Sequence, residues 1–500
     1  MRVDVFVFLK GFGGLGEVRD SRFGLLCLMV SLLERVVGEC DRVAVVGVGV
    51  GVGALESAVS VILRVREEYG AKCAVLLYTS RTVSTVSRLL DLFREFSDVV
   101  RLYPCSVACE EPGCLEAWLR KDVVEFLGGK LGWNNVVVVP TPGSRRMAAA
   151  LGMAGSGDVD VVHVDFYWGL WSGLAYPLVP RVLEPLYILN PIHGRPRDVE
   201  PVDKGSLKKL GEKLLEGLPP LRRRVGELAL LLNVQSIGSR VVYGRDGMSC
   251  DRVAVKVKVE VFGEQFEVVV WDWCSFRDWV KAANRLREKL VEFSGSGECG
   301  ELYRFLIRAS GLERIVLDHG EPLRSAQRPV VIDTNLVYWG SHNDCWEGAR
   351  IVVPYAVQAE VLKRYAEALK KPRLDRVCQA ERMAMDLLAY YQLLELLHCN
   401  RQTIIPSPPP PADTAIPSID PLLLAGKIMA TGDRGAYELW KSHPSSKIAE
   451  PRLATTAPLD ERDYGDTVYA ILQLAALTQV LPRQLQDSVG VRITVHVEPL

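Results

Sequence analysis

The sequence predicts an α/β protein with more than one domain. In residues 1–190, short apolar runs alternate with segments of helical period, which is typical of a parallel sheet with helices on both faces. From Pro329 the pattern restarts with an apolar strand that ends in an acid. A chain of 500 residues also exceeds what one core usually organises.

The first predicted domain, residues 1–198, is a Rossmann-like sheet. Its predicted strands are residues 3–9, 42–48, 74–78, 99–103, 136–139 and 159–164. Its predicted helices are residues 25–37, 54–69, 83–96, 116–127 and 146–152. Open sheets of this kind bind ligands at the C-terminal ends of their strands, so the strand-end loops are the candidate binding sites.

Three strand-end loops supply candidate ligand-binding residues, and the third is the most informative. Its two arginines, backbone N–H groups and helix N-terminus suit a phosphate, although a basic solvated turn is the alternative. The three sets are Lys10, Gly11 and Gly13, then Thr79 and Ser80, and then Thr141, Gly143, Ser144, Arg145 and Arg146.

A glycine run between Gly47 and Gly53 could indicate a dinucleotide site. Its glycines alternate strictly with valine, and the next predicted strand ends in Thr79 and Ser80 instead of an acid that would bind a ribose. Tight packing between strand and helix is therefore the better interpretation.

The segment VVVVPTPGSRRMAAAL, residues 136–151, resembles the strand–loop–helix signature of CARF domains, the Rossmann-like sensors of CRISPR systems. Pro142 stands where that family has its first glycine, and Arg145 stands where it has a basic residue. The resemblance covers residues 1–190. It implies that the three loops bind cyclic oligoadenylate across the two-fold axis of a homodimer.

The second predicted domain, residues 199–325, is an α+β connector with a β-hairpin between residues 252–261 and 265–273. Helices are predicted at residues 207–215, 223–232, 276–293 and 301–309. The basic residues at 208–224 are interleaved with glutamates, which is more typical of a solvated helix face than of an RNA-binding surface. The sequence assigns this domain no function.

The third predicted domain, residues 326–500, places acids at the ends of strands and on a helix. Asp333 ends the apolar strand after Pro329, Asp433 ends a second apolar strand, and Glu360 lies on the predicted helix 355–369. These oxygens at one sheet edge would suit Mg²⁺ or Mn²⁺. The alternatives are an N-cap role for Asp333 and an ion pair of Glu360 with Lys363 or Arg364.

The motifs VVIDTNLV, VPYAVQAEV and ATGDRGA occur in the order found in PIN domains, a metal-dependent nuclease fold that residues 329–440 resemble. The resemblance implies catalytic, metal-binding roles for Asp333, Glu360 and Asp433 and for one more aspartate. Asp413 matches that position, although two nearby prolines argue against a continuous helix from it. Asp420 is the alternative metal ligand, and Asp466 ranks below both.

Composition constrains the partners. The chain has 60 Lys and Arg against 61 Asp and Glu, so a polyanion must be bound by local groups. The 12 cysteines contain no CxxC pair and the N-terminus has no signal-peptide pattern, which predicts a reduced, cytoplasmic protein. Cys105, Cys109 and Cys114 lack a fourth zinc ligand at finger spacing. Glycines interrupt the most apolar stretch, so no membrane span is expected.

The resemblances to CARF and PIN domains together imply a metal-dependent endoribonuclease of type III CRISPR antiviral defence. We expect it to hydrolyse single-stranded RNA and to be activated allosterically by cyclic oligoadenylate. Two alternatives stay open: a nucleotide-sensing regulator without nuclease activity, and a toxin-like PIN nuclease with an unrelated N-terminal domain.

Overall fold

The computed structural model describes residues 21–51, 53–107, 111–155, 157–167, 169–196, 198–237, 241–244, 247–250, 253–295, 299–370, 376–399, 404–460 and 463–499. The candidate residues Lys10, Gly11 and Gly13 and the predicted strand 3–9 lie outside this part. The chain divides into two compact units: unit 1 contains Met1–Val164 and Leu186–Glu200, and unit 2 contains Asp165–Pro185 and Pro201–Leu500. No helix in the described ranges is long and apolar enough to cross a membrane.

Unit 1 has the predicted α/β architecture. Its strands are β1 (Val43–Gly47), β2 (Cys73–Tyr78), β3 (Arg101–Ser106), β4 (Val136–Val139), β5 (Asp160–Val164) and β6 (Leu186–Asn190). Its helices are α1 (Ser21–Glu39), α2 (Ala54–Tyr69), α3 (Val83–Arg94), α4 (Pro112–Trp118), α5 (Phe126–Leu131) and α6 (Arg145–Gly155), with a π-helical stretch, Leu119–Glu125, joining α4 to α5.

The described sheet of unit 1 has the order β3-β2-β1-β4-β5-β6. Strands β1 to β5 pair in parallel, and β6 pairs antiparallel to β5. The valine-rich strands β1 and β4 are fully buried because helices cover both faces. The strand order reverses between β1 and β4, which is where such sheets open a crevice for ligands. The antiparallel strand β6 is not among the predicted elements.

Unit 2 mixes helices and strands. Its helices are α7 (Lys204–Leu214), α8 (Pro220–Gln235), α9 (Phe276–Gly295), α10 (Glu301–Ser310), α11 (Thr334–Tyr338), α12 (Ser341–Trp346), α13 (Tyr355–Lys370), α14 (Val377–Cys399), α15 (Ala412–Ala415), α16 (Pro421–Leu424), α17 (Arg434–Ser442), α18 (Tyr464–Gln479) and α19 (Arg483–Val489). Its strands are β7 (Val241–Gly244), β8 (Gly247–Cys250), β9 (Val253–Val261), β10 (Glu264–Val270), β11 (Glu313–Leu317), β12 (Glu321–Pro322), β13 (Val330–Ile332), β14 (Ile351–Pro354), β15 (Ile404–Ile405), β16 (Ile428–Thr431), β17 (Glu450–Pro458) and β18 (Val491–Pro499).

Unit 2 does not divide between residues 325 and 326, where the sequence predicts a domain boundary. The last strand of the chain, β18, pairs with β9 of the predicted connector hairpin. The connector strand β11 pairs with β17 and so joins the seven-stranded sheet β12-β11-β17-β16-β13-β14-β15. One buried core also draws side chains from both regions, and the structure therefore differs from the predicted arrangement of three domains.

Residues Asp165–Pro185, which we call the insertion, belong to unit 2 although they lie in the chain between β5 and β6 of unit 1. The insertion is apolar, and its Leu170, Trp171 and Tyr176 are almost completely buried. The Trp171 indole N–H donates to the Gly465 carbonyl at 2.9 Å. The insertion is therefore part of the core of unit 2.

The cysteines differ from the expectation of a mostly reduced chain. Disulfides join Cys40 to Cys73, Cys299 to Cys378 and Cys345 to Cys399. The partners of each pair are far apart in sequence, so spacing alone gives no signal for them. In the predicted cysteine group, Cys105 is a buried free thiol, Cys114 is disulfide-bonded and Cys109 lies outside the described residues.

Candidate active site

Four acids follow neighbouring strands of the seven-stranded sheet. Asp333 directly follows β13, and Asp433 follows β16 after one intervening residue. Strands β13 and β16 pair in parallel. Glu360 lies on α13, the helix after β14, and Asp413 lies on α15, after β15. Because β14 pairs with β13 and β15 with β14, all in parallel, the four acids follow strands that end at the same edge.

Asp333 is the best-buried member of the group, with 2% of its surface exposed. Its Oδ1 accepts a hydrogen bond from the Thr334 N–H at 2.5 Å, which caps α11. Its Oδ2 accepts hydrogen bonds from the Asn335 amide and the Thr431 hydroxyl, both at 2.9 Å. The N-cap interpretation of Asp333 is thus correct, and it coexists with a position among the other acids.

Thr431 links the two strand-end acids. Its hydroxyl donates to Asp333 and accepts a hydrogen bond from the Asp433 N–H at 3.0 Å. The Asn335 carbonyl oxygen accepts from the Gly432 N–H at 3.0 Å. Asp433 in turn caps α17 by accepting from the Ala436 N–H at 3.0 Å. These bonds hold the tips of β13 and β16 in register.

The acids lie within electrostatic reach of one another. Burial is the main cause that raises the pKa of Asp333 to about 7, and the negative charges of Asp413 and Glu360 contribute to that rise. The hydrogen bond from Thr431 opposes it. Partial burial, followed by the charges of Asp433 and Glu360, also raises the pKa of Asp413. Asp333 thus interacts with Asp413 and Glu360, and Asp413 interacts with Asp433 and Glu360. We call these four acids the acid cluster.

Glu360 has two partners. Its Oε2 accepts a hydrogen bond from the Thr334 hydroxyl at 2.9 Å, and its Oε1 pairs with the Arg364 guanidinium at 2.7 Å. The predicted ion pair of Glu360 is therefore made with Arg364, one helical turn further along α13.

The three candidates for the remaining aspartate have different surroundings in the structure. Asp413 joins the cluster, and its carbonyl accepts from the Trp440 indole N–H at 2.7 Å. Asp420 instead caps α16 by accepting from the Leu422 N–H at 2.8 Å. Asp466 is buried and paired with Arg314 at 2.8 Å. The predicted break after Asp413 is also present, because α15 and α16 are separate short helices.

Carboxylate oxygens fit Mg²⁺ or Mn²⁺, and a divalent cation would offset both the burial and the repulsion that raise the pKa of Asp333. In the described ranges, however, no three His, Cys, Asp or Glu side chains converge closely enough to hold an ion as they stand. Glu360 is engaged by Arg364. A bound ion would therefore require Glu360 to change partners.

The candidate ligand loops of unit 1 follow β2 and β4, on either side of β1. Gly47 and Gly49 bring the end of β1 against the β4 loop: a Cβ on Gly49 would clash with the Pro142 carbonyl, and one on Gly47 would lie 3.2 Å from the Gly143 Cα. The packing interpretation of the glycine run therefore holds at these two positions.

Within the β4 loop, the Thr141 hydroxyl accepts a hydrogen bond from the Val164 N–H at 3.4 Å, and the Ser144 hydroxyl accepts from the Met147 N–H at 3.3 Å. Arg145 and Arg146, which open α6, are exposed. After β2, the Thr79 N–H donates to the Thr82 hydroxyl at 3.0 Å, and Ser80 is exposed. The candidate residues thus follow the C-terminal ends of parallel strands, the two arginines in the first turn of α6 and the others in the loops: Thr79, Ser80, Thr141, Gly143 and Ser144.

Sequence analysis did not single out Thr431 or Trp339. A Cβ on Gly432 would clash with the Trp339 ring, and the Arg308 guanidinium lies 4.7 Å from that ring's centroid. The position of Thr431 just before Gly432 and Asp433 was the available signal, since a small hydroxyl there can reach the neighbouring strand tip. Trp339 carried no such signal.

Comparisons with known proteins give little support for an assignment. No protein-family model matches the chain, and no curated protein matches it. Among solved structures, the chain is similar to Enterococcus italicus Csm6 bound to cyclic hexa-2'-fluoro-hexa-dAMP, at 10% identity and a TM-score of 0.20. That similarity covers 72% of this chain and 94% of the Csm6 chain. A TM-score this low carries no argument about fold or function.

Proposed function

We propose that the protein is a metal-dependent endoribonuclease that cuts single-stranded RNA and is activated by cyclic oligoadenylate, as part of type III CRISPR defence. Unit 2 is the nuclease and unit 1 the sensor. The observation that carries the proposal is the acid cluster: a buried Asp333 whose pKa is raised to about 7, with Glu360, Asp413 and Asp433 around it. Such clusters of titratable groups at a sheet edge favour a functional site.

Asp333, Glu360, Asp413 and Asp433 are the residues that would hold Mg²⁺ or Mn²⁺. A divalent ion supplies stabilisation of phosphate charge and a bound water of lowered pKa. The chain supplies position. Asn335 and Thr431 fix the carboxylate of Asp333, so that its oxygens need no reorganisation when a phosphodiester arrives.

The proposed activator site is the carboxyl edge of the unit 1 sheet. Gly143 and Ser144 offer a loop closely packed against β1, and Arg145 and Arg146 offer exposed guanidinium groups at the start of α6. Guanidinium groups bind phosphate with two parallel hydrogen bonds. A cyclic oligoadenylate carries several phosphodiesters. One molecule could therefore be bound by this loop from both copies of the chain in a homodimer.

An activator controls a distant site only if it prefers one arrangement of the chain. The insertion offers a physical route, because the chain enters it directly after Val164 and leaves it into β6. Val164 donates to the Thr141 hydroxyl in the proposed phosphate loop. At the other end, the Leu170 N–H donates to Asp466, which pairs with Arg314 on β11 of the nuclease sheet.

The test is a cleavage assay on fluorescent single-stranded RNA and DNA with Mn²⁺, with and without each cyclic oligoadenylate. We expect RNA cleavage that one ring size stimulates and that Asp333→Ala abolishes. Cleavage that survives in Asp333→Ala contradicts the proposed site. Cleavage without stimulation by any ring size favours a toxin-like nuclease. Activator binding without cleavage favours a regulator.

A further inference from the structure

We propose that Arg364 binds the phosphodiester of the RNA substrate at the acid cluster and orients it there. This inference rests on the proposed nuclease function and adds a residue to its site. Four carboxylates repel a polyanion, and the chain as a whole carries a net charge of −1. Substrate binding therefore needs a cation at the site itself.

Arg364 lies in the right place for this role. Its Nη2 contacts the Glu360 carboxylate at 2.7 Å, and its charge also acts on Asp413. It therefore contacts one of the four acids and lies within electrostatic reach of a second. Its side chain is 43% exposed, which leaves the guanidinium accessible from solvent.

The Arg364 guanidinium is held by more than one contact. It lies 5.5 Å from the centroid of the Tyr338 ring. Tyr338 is fixed in turn, because its hydroxyl donates to the Asp386 carboxylate at 2.7 Å. A planar guanidinium against an aromatic ring keeps its remaining N–H groups in the plane, where they match the oxygens of a phosphate.

The pair with Glu360 has a second consequence. Without substrate, the guanidinium offsets the charge of Glu360 and limits repulsion within the cluster. If divalent cations bound these acids, Glu360 would turn from Arg364 towards them, and the guanidinium would then be available to the phosphate. Arg364 would thus replace its contact with the Glu360 carboxylate by a contact with the phosphate, from the same position on α13.

The alternative is an ordinary pair between residues four apart on a helix, which contributes little when it is partly exposed. A role limited to α13 predicts that Arg364 affects thermal stability and the position of Glu360 only. Such a structural role predicts no effect of Arg364 on RNA affinity when the acid cluster is already altered by Asp333→Asn.

The experiment measures RNA binding in the Asp333→Asn background, where cleavage does not interfere. Fluorescence anisotropy with a labelled single-stranded RNA compares Arg364→Ala, Arg364→Lys and Lys363→Ala. Lys363 is the matched control, since it is an exposed cation one residue away on the same helix. We expect Arg364→Ala to raise the Kd about tenfold, Arg364→Lys to recover part of the loss and Lys363→Ala to change it less than about twofold.

A second readout separates the two roles of the residue. Electron paramagnetic resonance should show that Arg364→Ala, in an otherwise native chain, binds Mn²⁺ at least as tightly as the native protein, because Glu360 loses a competing cation. An unchanged RNA Kd in Arg364→Ala overturns the proposal, and so does a loss of Mn²⁺ binding without a loss of RNA binding. If the native protein neither binds Mn²⁺ nor cleaves RNA while Arg364→Ala still weakens RNA binding, the nuclease proposal fails and the phosphate-binding role stands.

Discussion

The two sheets, in which most strands pair in parallel, both place candidate residues where the strand order reverses, but the side chains there carry opposite charges. In unit 1 the strand order reverses between β1 and β4, and the loop after β4 exposes Arg145 and Arg146. In unit 2 it reverses between β16 and β13, and the acids Asp433 and Asp333 follow those strands. A reversal of strand order therefore coincides with a cationic edge in unit 1 and with an anionic edge in unit 2.

The two edges also differ in how they are held. Asp333 is buried and receives three hydrogen bonds, so its geometry is fixed before any ligand binds. The arginines of unit 1 are exposed, and the loop is shaped mainly by backbone packing at Gly47 and Gly49. We therefore expect changes at the acidic edge to affect the chemical step, and changes at the basic edge to affect affinity and its salt dependence.

The largest effect distinguishes the two candidate aspartates of the acidic edge. Asp413→Asn should lower kcat for RNA cleavage by about 100-fold, because it replaces a carboxylate by a neutral amide and so removes a charge that would attract a divalent cation. Asp420→Asn should stay within about twofold, since asparagine caps a helix as well as aspartate does. Steady-state cleavage rates measure both. The reverse ranking would move the site towards α16.

At the basic edge, we expect the double variant Arg145→Ala and Arg146→Ala to weaken activator binding by about 10- to 100-fold at low salt, with a smaller loss at high salt. Calorimetric titration with a cyclic oligoadenylate measures the affinity. The control is Arg88→Ala with Arg94→Ala on α3, which removes the same charge from unit 1. Equal losses in both double variants would indicate a general field and no phosphate site.

The insertion lies in the chain between two strands of unit 1, and its contact with α18 of unit 2 can be weakened by substitution. The Tyr167 ring lies 4.7 Å from the Tyr464 ring at the start of α18. Tyr167→Ala should lower the ratio of activated to basal cleavage by about 2- to 10-fold and leave basal cleavage unchanged, because it loosens the coupling element only. An unaltered ratio would argue against this route.

The smallest effect concerns stability. Burial raises the pKa of Asp344 on α12 to about 7, although Arg314 and Arg324 lower it. An acid with a raised folded-state pKa stabilises the protein fully below its unfolded value near 4, and this stability is lost as the pH rises through 7. The unfolding temperature should therefore fall by about 2–6 °C between pH 5 and pH 8. In Asp344→Asn this fall should be smaller, and an identical fall would show that Asp344 does not titrate in this range.

Much of the fold could be predicted because its signals are local. Helix α2 and strand β4 have the predicted bounds, since a glycine turn or a valine run marks their ends. Helix α14 was not predicted, because it is buried on more than one face and shows no clear apolar stripe. The pairing of β18 with β9 was not predicted either, because alternating strands do not specify a distant partner.

Some candidate site residues could likewise be predicted from local signals, and others could not. Asp333, Glu360 and Asp433 could be found because each stands next to a strand or helix signal. The different surroundings of Asp413 and Asp420 could not be predicted, since both residues precede β16 and both suit a helix start. The contacts of Thr431 with Asp333 and of Arg364 with Glu360 join side chains of different strands or turns, so they become visible only in the folded structure.

The central claim is that the acidic edge of unit 2 binds divalent cations through Asp333 and uses them to cut RNA. The most direct measurement is Mn²⁺ binding by electron paramagnetic resonance, in the native protein and in Asp333→Asn, with RNA cleavage measured on the same samples. We predict that the native protein binds Mn²⁺ and cleaves RNA, and that Asp333→Asn loses both. Equal Mn²⁺ binding and equal cleavage in the two proteins would contradict the claim.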